Sequence, residues 1–292
     1  MNLSELDQIK RLAIISVFSN DTLMNILVLK GGNALDIIYK IAPRASIDLD
    51  FSTEKDLGPI EEFTCKISNS LRKIFRENGF EVFDIKVIKK PKIDNPETST
   101  FWGGYKIEFK VANKETYLKY EDEIDNLRNH STVIGPRDRK IFSIDISKWE
   151  YCKNKQSFEL DGYTIYVYSP EMIVFEKIRA ICQQMPEYIK TIGKSYQTAR
   201  ARDFFDIYTV LDSFKIKLTS PENIKLLQFI FEQKKVDLSL INNIKHVREF
   251  HRTDFSVVKD TVKPLVKLEE FDFYFDYVVE KCELLYQAFK KE

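Results

Sequence analysis

The sequence predicts an α+β protein: a mixed sheet with flanking helices over residues 1–168, then a helical bundle over residues 169–292. Three observations carry that expectation. Up to Tyr168, short apolar or alternating runs with the period of strands are interleaved with helical periodicities. From Ser169 onward only helical periodicity remains. The third is a junction: an apolar run ends at Gly31-Gly32, a helical pattern follows, and a short strand then carries carboxylates at Asp48 and Asp50.

The elements follow in order. Leu6 to Phe18 spaces Leu6, Ile9, Leu12, Ala13, Ile14, Val17 and Phe18 as one helix face. Leu23 to Leu29 is apolar, and its end from Val28 reads as a short buried strand. Asn33 to Ile41 reads as a helix that Pro43 stops. Ser46 to Phe51 is the second strand. Pro59 to Asn78 is a helix with Phe63, Ile67, Leu71 and Ile74 inward, and Gly79 suits its C-terminal cap. Phe80 to Ile88 alternates as a strand, Lys89 to Thr100 is a polar loop, and Phe101 to Ala112 is a strand with Tyr105, Ile107, Phe109 and Val111 on one side. Thr116 to Asn129 is charged and helical. Gly135 to Lys140 is a turn into the strand Ile141 to Ser147, and Tyr163 to Tyr168 is a further strand. Ser169 is an N-cap with Pro170 at the first helical position. Helices then run over Glu171–Cys182, Ala199–Leu211, Asn223–Gln233, Phe255–Lys267 and Phe271–Lys291.

Composition narrows the function. Lys+Arg 45 against Asp+Glu 45 leaves no net charge, which argues against a generally basic nucleic-acid coat while allowing a local basic groove. Cys65, Cys152, Cys182 and Cys282 are scattered without a CxxC pair, so reduced thiols are expected rather than a zinc site or a disulfide framework. Met1 to Asp7 is polar and acidic, unlike a signal peptide, and no apolar run approaches the ~18–20 residues of a membrane span. The expectation is a cytoplasmic protein without a membrane partner.

The carboxylates carry the chemistry. Residues two apart in a strand share a face, so Asp48 and Asp50 point together while Ile47, Leu49 and Phe51 face the core. Like charges so close need neutralising, and hard oxygen ligands suit Mg2+, with Mn2+ as the alternative. Asp145, between Ile144 and Ile146, is the candidate third ligand. Glu108 competes for that role, but a solvent-facing position is favoured for it. Gly31 and Gly32 allow a phosphate close to the backbone, a helix start adds free N–H groups, and Asn33 can add a donor.

Lys30-Gly31-Gly32-Asn33-Ala34-Leu35, followed by Arg44-x-Ser46-x-Asp48-Leu49-Asp50-Phe51, resembles the AbiEii/AbiGii toxin family. These are nucleotidyltransferase-like proteins of bacterial abortive-infection and toxin–antitoxin systems. They belong to the polymerase-β-type nucleotidyltransferase superfamily, whose pattern is Gly-Gly/Ser, a helix, then Asp-x-Asp. The resemblance continues with Asp145, with Ser169-Pro170-Glu171-x-Ile173-x-x-Glu176-Lys177-x-Arg179-Ala180 as the family's Lys-bearing helix, and with Arg202-Asp203-Phe204-Phe205-Asp206-Ile207-Tyr208 as its Arg-Asp-x-x-Asp helix. It runs from about Leu27 to Tyr208. One departure is Gly32-Asn33 where the superfamily often has Ser after the first glycine, which leaves phosphate contact to backbone N–H groups and Asn33.

The resemblance implies a polymerase-β-type core followed by the helical domain. It also implies a metal held by Asp48, Asp50 and Asp145, a nucleotide held by Gly31, Gly32, Asn33, Arg44, Ser46 and Lys177, and catalytic roles for Asp48, Asp50, Lys177 and Asp203. A lysine can neutralise a triphosphate as a point charge. Asp203 is preferred for the site and Asp206 for a structural pairing with Arg202 or Arg179. His130, His246 and His251 show no metal-ligand spacing. Two basic groups are candidates for guiding RNA: Lys86, Lys89, Lys90 and Lys92, and, weighted higher, Lys190, Lys194, Arg200 and Arg202. The expected function is a Mg-dependent toxin that transfers a nucleotide from an NTP to an RNA hydroxyl, with the tRNA 3′ end as the guess, or to a protein hydroxyl. A cognate antitoxin protein would relieve it. The competing readings are an NTP-binding module without transfer and a small-molecule (antibiotic) nucleotidyltransferase.

Overall fold

The computed structural model describes residues 3–41, 44–93, 95–135, 137–193, 195–263 and 266–291. Its backbone separates into two units: Met1–Ile38, Ile47–Asn95 and Gly103–Val167 in the first, and Tyr39–Ser46, Pro96–Trp102 and Tyr168–Glu292 in the second.

The first unit is a sheet with helices. Helix α1 (Leu3–Phe18) buries the apolar stripe from Leu6 to Phe18. Helix α2 (Asp21–Ile26) starts where the Asn20 side chain accepts the Leu23 N–H at 3.2 Å. Strand β1 (Val28–Lys30) leads into α3 (Gly31–Asn33), which continues as a π-helical stretch, Ala34–Ile38. Then come β2 (Leu49–Thr53), α4 (Ile60–Glu77), β3 (Phe80–Lys90), β4 (Gly104–Asn113), α5 (Lys114–Tyr120), α6 (Ile124–His130), β5 (Phe142–Lys148), β6 (Gln156–Leu160) and β7 (Tyr163–Val167).

The strands form one sheet in the order β3-β4-β5-β2-β1-β7-β6. It is mixed: β2 runs parallel to β5 and β1 parallel to β7, while the other neighbours are antiparallel. On one face of the central strands, Leu49, Phe51, Ile107, Phe109, Phe142 and Ile144 are buried. Helices α1 and α4 cover that face, with Phe18 6.1 Å from the Phe51 ring and Phe75 5.9 Å from the Phe109 ring. Each such side chain stabilises the unit by about 1.5–3 kcal/mol.

The second unit is helical apart from an isolated bridge between Arg44 and Val262. Helix α7 (Pro170–Cys182) is capped by Ser169, which accepts the Met172 N–H at 3.3 Å, with Pro170 in the first turn. Helices α8 (Pro186–Thr191), α9 (Ala201–Ser213) and α10 (Pro221–Glu232) follow, then a 3-10 helix (Leu238–His246), α11 (Arg248–Arg252), α12 (Phe255–Thr261) and α13 (Phe271–Phe289). Helix α7 packs on α9 and α10, and α9 on α13. The Phe204, Phe271, Phe275 and His251 rings form part of that core.

The α+β class expected from the sequence is the one the structure has. Several boundaries differ. The second strand starts at Leu49 rather than Ser46, because the Asp48 carbonyl accepts from the Asn33 amide at 2.7 Å instead of joining the ladder. The helix expected over Asn33–Ile41 starts at the glycines and stops at Ile38, with Lys40 in the left-handed region at φ 57°. Pro43 lies outside the described residues. The strand expected from Phe101 starts at Gly104, preceded by a turn in which the Trp102 N–H meets the Thr98 carbonyl at 2.8 Å. The helix expected over Thr116–Asn129 is two helices, α5 and α6. The one expected over Phe255–Lys267 ends at Thr261; Pro264 and Leu265 lie outside the described residues. Helix α2, strand β6, α8, the 3-10 helix and α11 had no expected counterpart.

Candidate active site

Asp50 and Asp145 are register partners on the parallel strands β2 and β5. The same row continues to Lys30 on β1 and to Lys106 on β4, so two acidic residues sit between two basic ones across four adjacent strands. Partners in register share a face, and it is the face opposite Leu49, Phe51, Ile144 and Ile146. Acidic groups side by side on neighbouring strands repel unless neutralised.

The flanking lysines have further polar partners. Lys30 Nζ is 3.4 Å from Ser147 Oγ and 3.8 Å from Glu150, and Lys106 pairs with Glu108 at 2.7 Å. Glu108 is thus on this face, opposite Ser143, one row from Asp145.

Gly31 closes the site from the β1 side. Its φ is +73°, and a Cβ there would stand 2.6 Å from Asp50 Oδ2, so a side chain would collide with the carboxylate. Gly32 and Asn33 are buried behind it. Asn33 donates to the Asp48 carbonyl and so ties the glycine turn to the start of β2, while its Oδ1 and Ser52 Oγ are buried without a hydrogen-bond partner among the described residues. Asp48, just before β2, pairs with Arg139 (Nη2 to Oδ1, 2.5 Å), and Asp145 pairs with Lys90 at 2.9 Å. Among the described residues no three His, Cys, Asp or Glu side chains converge as a metal-binding group in this arrangement. The donor chemistry still fits a hard divalent cation. It offers two carboxylates in register, Asp50 and Asp145, with unfilled polar capacity at Ser52 on the same face and Asp48 just before the strand.

The other expected site residues lie in the helical unit and form a network of their own. Lys177 on α7 meets Asp203 at 2.9 Å and Asp206 at 2.7 Å, both on α9. Arg44 clasps Asp206 through two nitrogens, Nε at 2.7 Å and Nη2 at 2.5 Å, and Arg200 pairs with Asp203. All but Arg200 are buried. Burial opposes the Lys177 ammonium, but Asp203 and Asp206 outweigh it and raise its pKa above the ordinary lysine value. Burial likewise opposes both carboxylates, yet Arg200 and Lys177 hold Asp203 far below the usual range, and Arg44 and Lys177 lower Asp206. Arg44, not Arg202 or Arg179, is the fork on Asp206. Ser46 is half-buried in the Arg44 segment. His251 accepts the Arg200 backbone N–H at Nδ1, and burial pushes its pKa down to about 4.

Arg139 and Lys90 were missed as neighbours of the carboxylates. Lys90 shows in the sequence as part of a basic run and Arg139 as part of a turn; only strand register and turn shape bring them to Asp145 and Asp48. In the higher-weighted basic group, Lys190 and Arg202 are exposed and Lys194 lies outside the described residues.

A strand, a glycine turn pressed on an acidic side chain, and a second carboxylate in register on the next strand define a site suited to nucleotidyl transfer. The family model described as nucleotidyl transferase AbiEii toxin, type IV TA system, matches residues 13–277. The chain belongs to this family, and it is a nucleotidyltransferase of the toxin–antitoxin class. Membership implies an NTP substrate, an antitoxin partner and the divalent metal that such enzymes generally use. Among solved structures, the chain is similar to JHP933 from Helicobacter pylori (16% identity, 98% of this chain and 93% of that one, TM-score 0.49). It is also similar to a putative nucleotidyltransferase from H. pylori (15%, 98% and 96%, TM-score 0.49). MenT4, a nucleotidyltransferase toxin from Mycobacterium tuberculosis, is a further similar structure (14%, 97% and 83%, TM-score 0.44). A comparison with curated protein sequences found no match. No helix among the described residues is long and apolar enough to cross a membrane.

Proposed function

We propose that the protein is a Mg2+-dependent toxin, also served by Mn2+, that moves a nucleotide from an NTP to a hydroxyl of RNA, with the tRNA 3′ end as the first candidate. A protein hydroxyl is the other acceptor class. The observation that carries this reading is the Asp50–Asp145 register pair with Gly31 pressed against Asp50.

Asp48, Asp50 and Asp145 would hold the cation, which when bound neutralises the carboxylates and polarises the phosphates. The backbone at Gly31-Gly32 admits the phosphate chain close to Asp50, a position that a Cβ would fill. The acceptor oxygen forms its bond to the α-phosphorus as the bond from that phosphorus to the bridging oxygen breaks. The electron pair leaves with pyrophosphate, and the hydroxyl proton passes to a site carboxylate. Such transfer depends mainly on positioning and charge neutralisation. Lys177 and Asp203 are proposed as residues required for activity, on the strength of the family resemblance; Arg44 and Ser46 belong to the same proposal.

The test is incubation of the purified protein with Mg2+, each labelled NTP and total RNA or cell extract. The expected result is label on RNA that disappears in Asp50→Asn and Asp48→Asn. Label on protein alone would move the acceptor to the second class. Label on neither, despite measurable NTP binding, would overturn the proposal.

A further inference from the structure

We infer that Arg139 and Lys90 are cations of the nucleotide site: they hold Asp48 and Asp145 until a divalent cation takes those carboxylates, and then they bind the triphosphate. This rests on the reading of Asp48, Asp50 and Asp145 as metal ligands.

Stability does not account for these two pairs. Arg139 and Asp48 are 34% and 45% exposed, and Lys90 and Asp145 51% and 37%. Ion pairs as open as these contribute little to a fold. Their common feature is that each ends on one of the three candidate metal ligands.

Arg139 is held in place. Its Nε donates to the Ile141 carbonyl at 3.1 Å, and Nη2 reaches Ser143 Oγ at 3.2 Å as well as Asp48. Its turn is shaped by Arg137 and Asp138 in the left-handed region (φ 56° and 58°) and closed by the Ile134 N–H on the Arg139 carbonyl. A guanidinium so oriented presents a planar donor fork, which matches phosphate oxygens as well as it matches a carboxylate.

Lys90 reaches its partner differently. It ends β3 opposite Gly104, and its side chain reaches past β4 to Asp145 on β5, 2.9 Å away. It is a point charge on a flexible stem, suited to changing partners.

Charge balance links the two states. Carboxylates in register need neutralising, and Lys90 and Arg139 supply part of that. A bound divalent cation takes over the role and leaves both basic groups beside an incoming polyanion. The lysine and arginine therefore compete with the cation alone and cooperate with the cation–triphosphate pair.

That opposition in sign is measurable without turnover. Mn2+ binding by electron paramagnetic resonance, and binding of the Mn2+–tripolyphosphate complex by calorimetry, are compared for wild type, Lys90→Ala, Arg139→Ala and Arg139→Lys, with Asp50→Asn as control. Lys90→Ala and Arg139→Ala are expected to bind Mn2+ about two- to fivefold more tightly, the range for loss of an exposed pair. They are expected to bind Mn2+–tripolyphosphate about tenfold more weakly, with Arg139→Lys intermediate. Unchanged or weaker Mn2+ binding, or unchanged tripolyphosphate binding, overturns the inference. If Asp50→Asn abolishes Mn2+ binding and these variants still match wild type, only the inference falls. If wild type has no Asp50-dependent Mn2+ site, the metal reading falls with it. Should Arg139→Ala fail to fold, Lys90→Ala decides, since that side chain is half-exposed and ends on a single ion pair here.

Discussion

Gly31 meets two demands at once: a φ of +73° and an approach to Asp50 that leaves no room for a Cβ. Gly31→Ala would add left-handed strain of about 1–2 kcal/mol and push the Asp50 carboxylate aside. A shift of roughly 1 Å at a reacting centre can lower a rate about 100-fold. The expected outcome is transfer reduced on that order with the circular dichroism spectrum intact; full activity would show that the turn does not face the reacting phosphate. His251 makes a pH prediction. Its folded pKa of about 4 lies below the ordinary 6.5, so the unfolded chain takes up a proton that the folded chain refuses. Stability is therefore lost as pH falls from about 6.5 to about 4, by on the order of 3 kcal/mol. The lowered Asp203 and Asp206 extend the loss below the ordinary carboxylate range. Urea midpoints at pH 7 and 4.5 should differ more in wild type than in His251→Asn; equal differences would show that His251 is not held neutral. At this scale the shared face of Asp50 and Asp145 could be read from strand alternation, whereas Asp48, expected in the same strand, lies just before β2. Arg139 could not, because its placement depends on left-handed turn residues that no periodicity reveals.

The central strands set the register on which the site depends. Ile144 and Ile146 are buried on one face of β5, and Asp145 points to the other. A slip of one residue would exchange them, which the core forbids. Ile144→Ala should lower stability by about 2–5 kcal/mol in urea unfolding. A loss under 1 kcal/mol, well below that range, would mean that the β2–β5 contact is not a core contact. Strands with a buried apolar face were legible for this reason. Strand β6 was not, because Gln156 to Glu159 are exposed or half-exposed and carry little apolar pattern. Its signal lay in the turn: Asp161 and Gly162 both have positive φ (52° and 84°), the pairing that a tight hairpin requires. The helix after Gly31-Gly32 was legible by its apolar face, but not its π-helical winding.

At the scale of the whole molecule, the change from alternating to helical text near Tyr168 was visible in the sequence. The two excursions, Tyr39–Ser46 and Pro96–Trp102, were not, because long-range membership leaves no local period. In cells, induced wild-type chain should arrest growth, and Asp50→Ala and Lys177→Ala should each abolish the arrest. If both variants remain fully toxic at wild-type abundance, the site assignment is wrong. Lys177→Ala needs the abundance control because it strands two buried carboxylates.

Arg44 carries a consequence for inheritance. It is far from α9 along the chain, yet its guanidinium clasps the buried Asp206 carboxylate. Without Arg44 the anion keeps only Lys177, which it shares with Asp203, and the lost charged hydrogen bonds cost about 1–3 kcal/mol, a sizeable share of a typical domain's stability. A gene crossover near codon 168 that joined this helical half to another protein's sheet would discard one of the two cations on Asp206 and keep the anion. Such hybrids should accumulate poorly unless Asp206→Asn accompanies the junction or the donor sequence restores an arginine at the Arg44 position. The short strip around Arg44 thus ties together the descent of two segments that sit far apart in the gene.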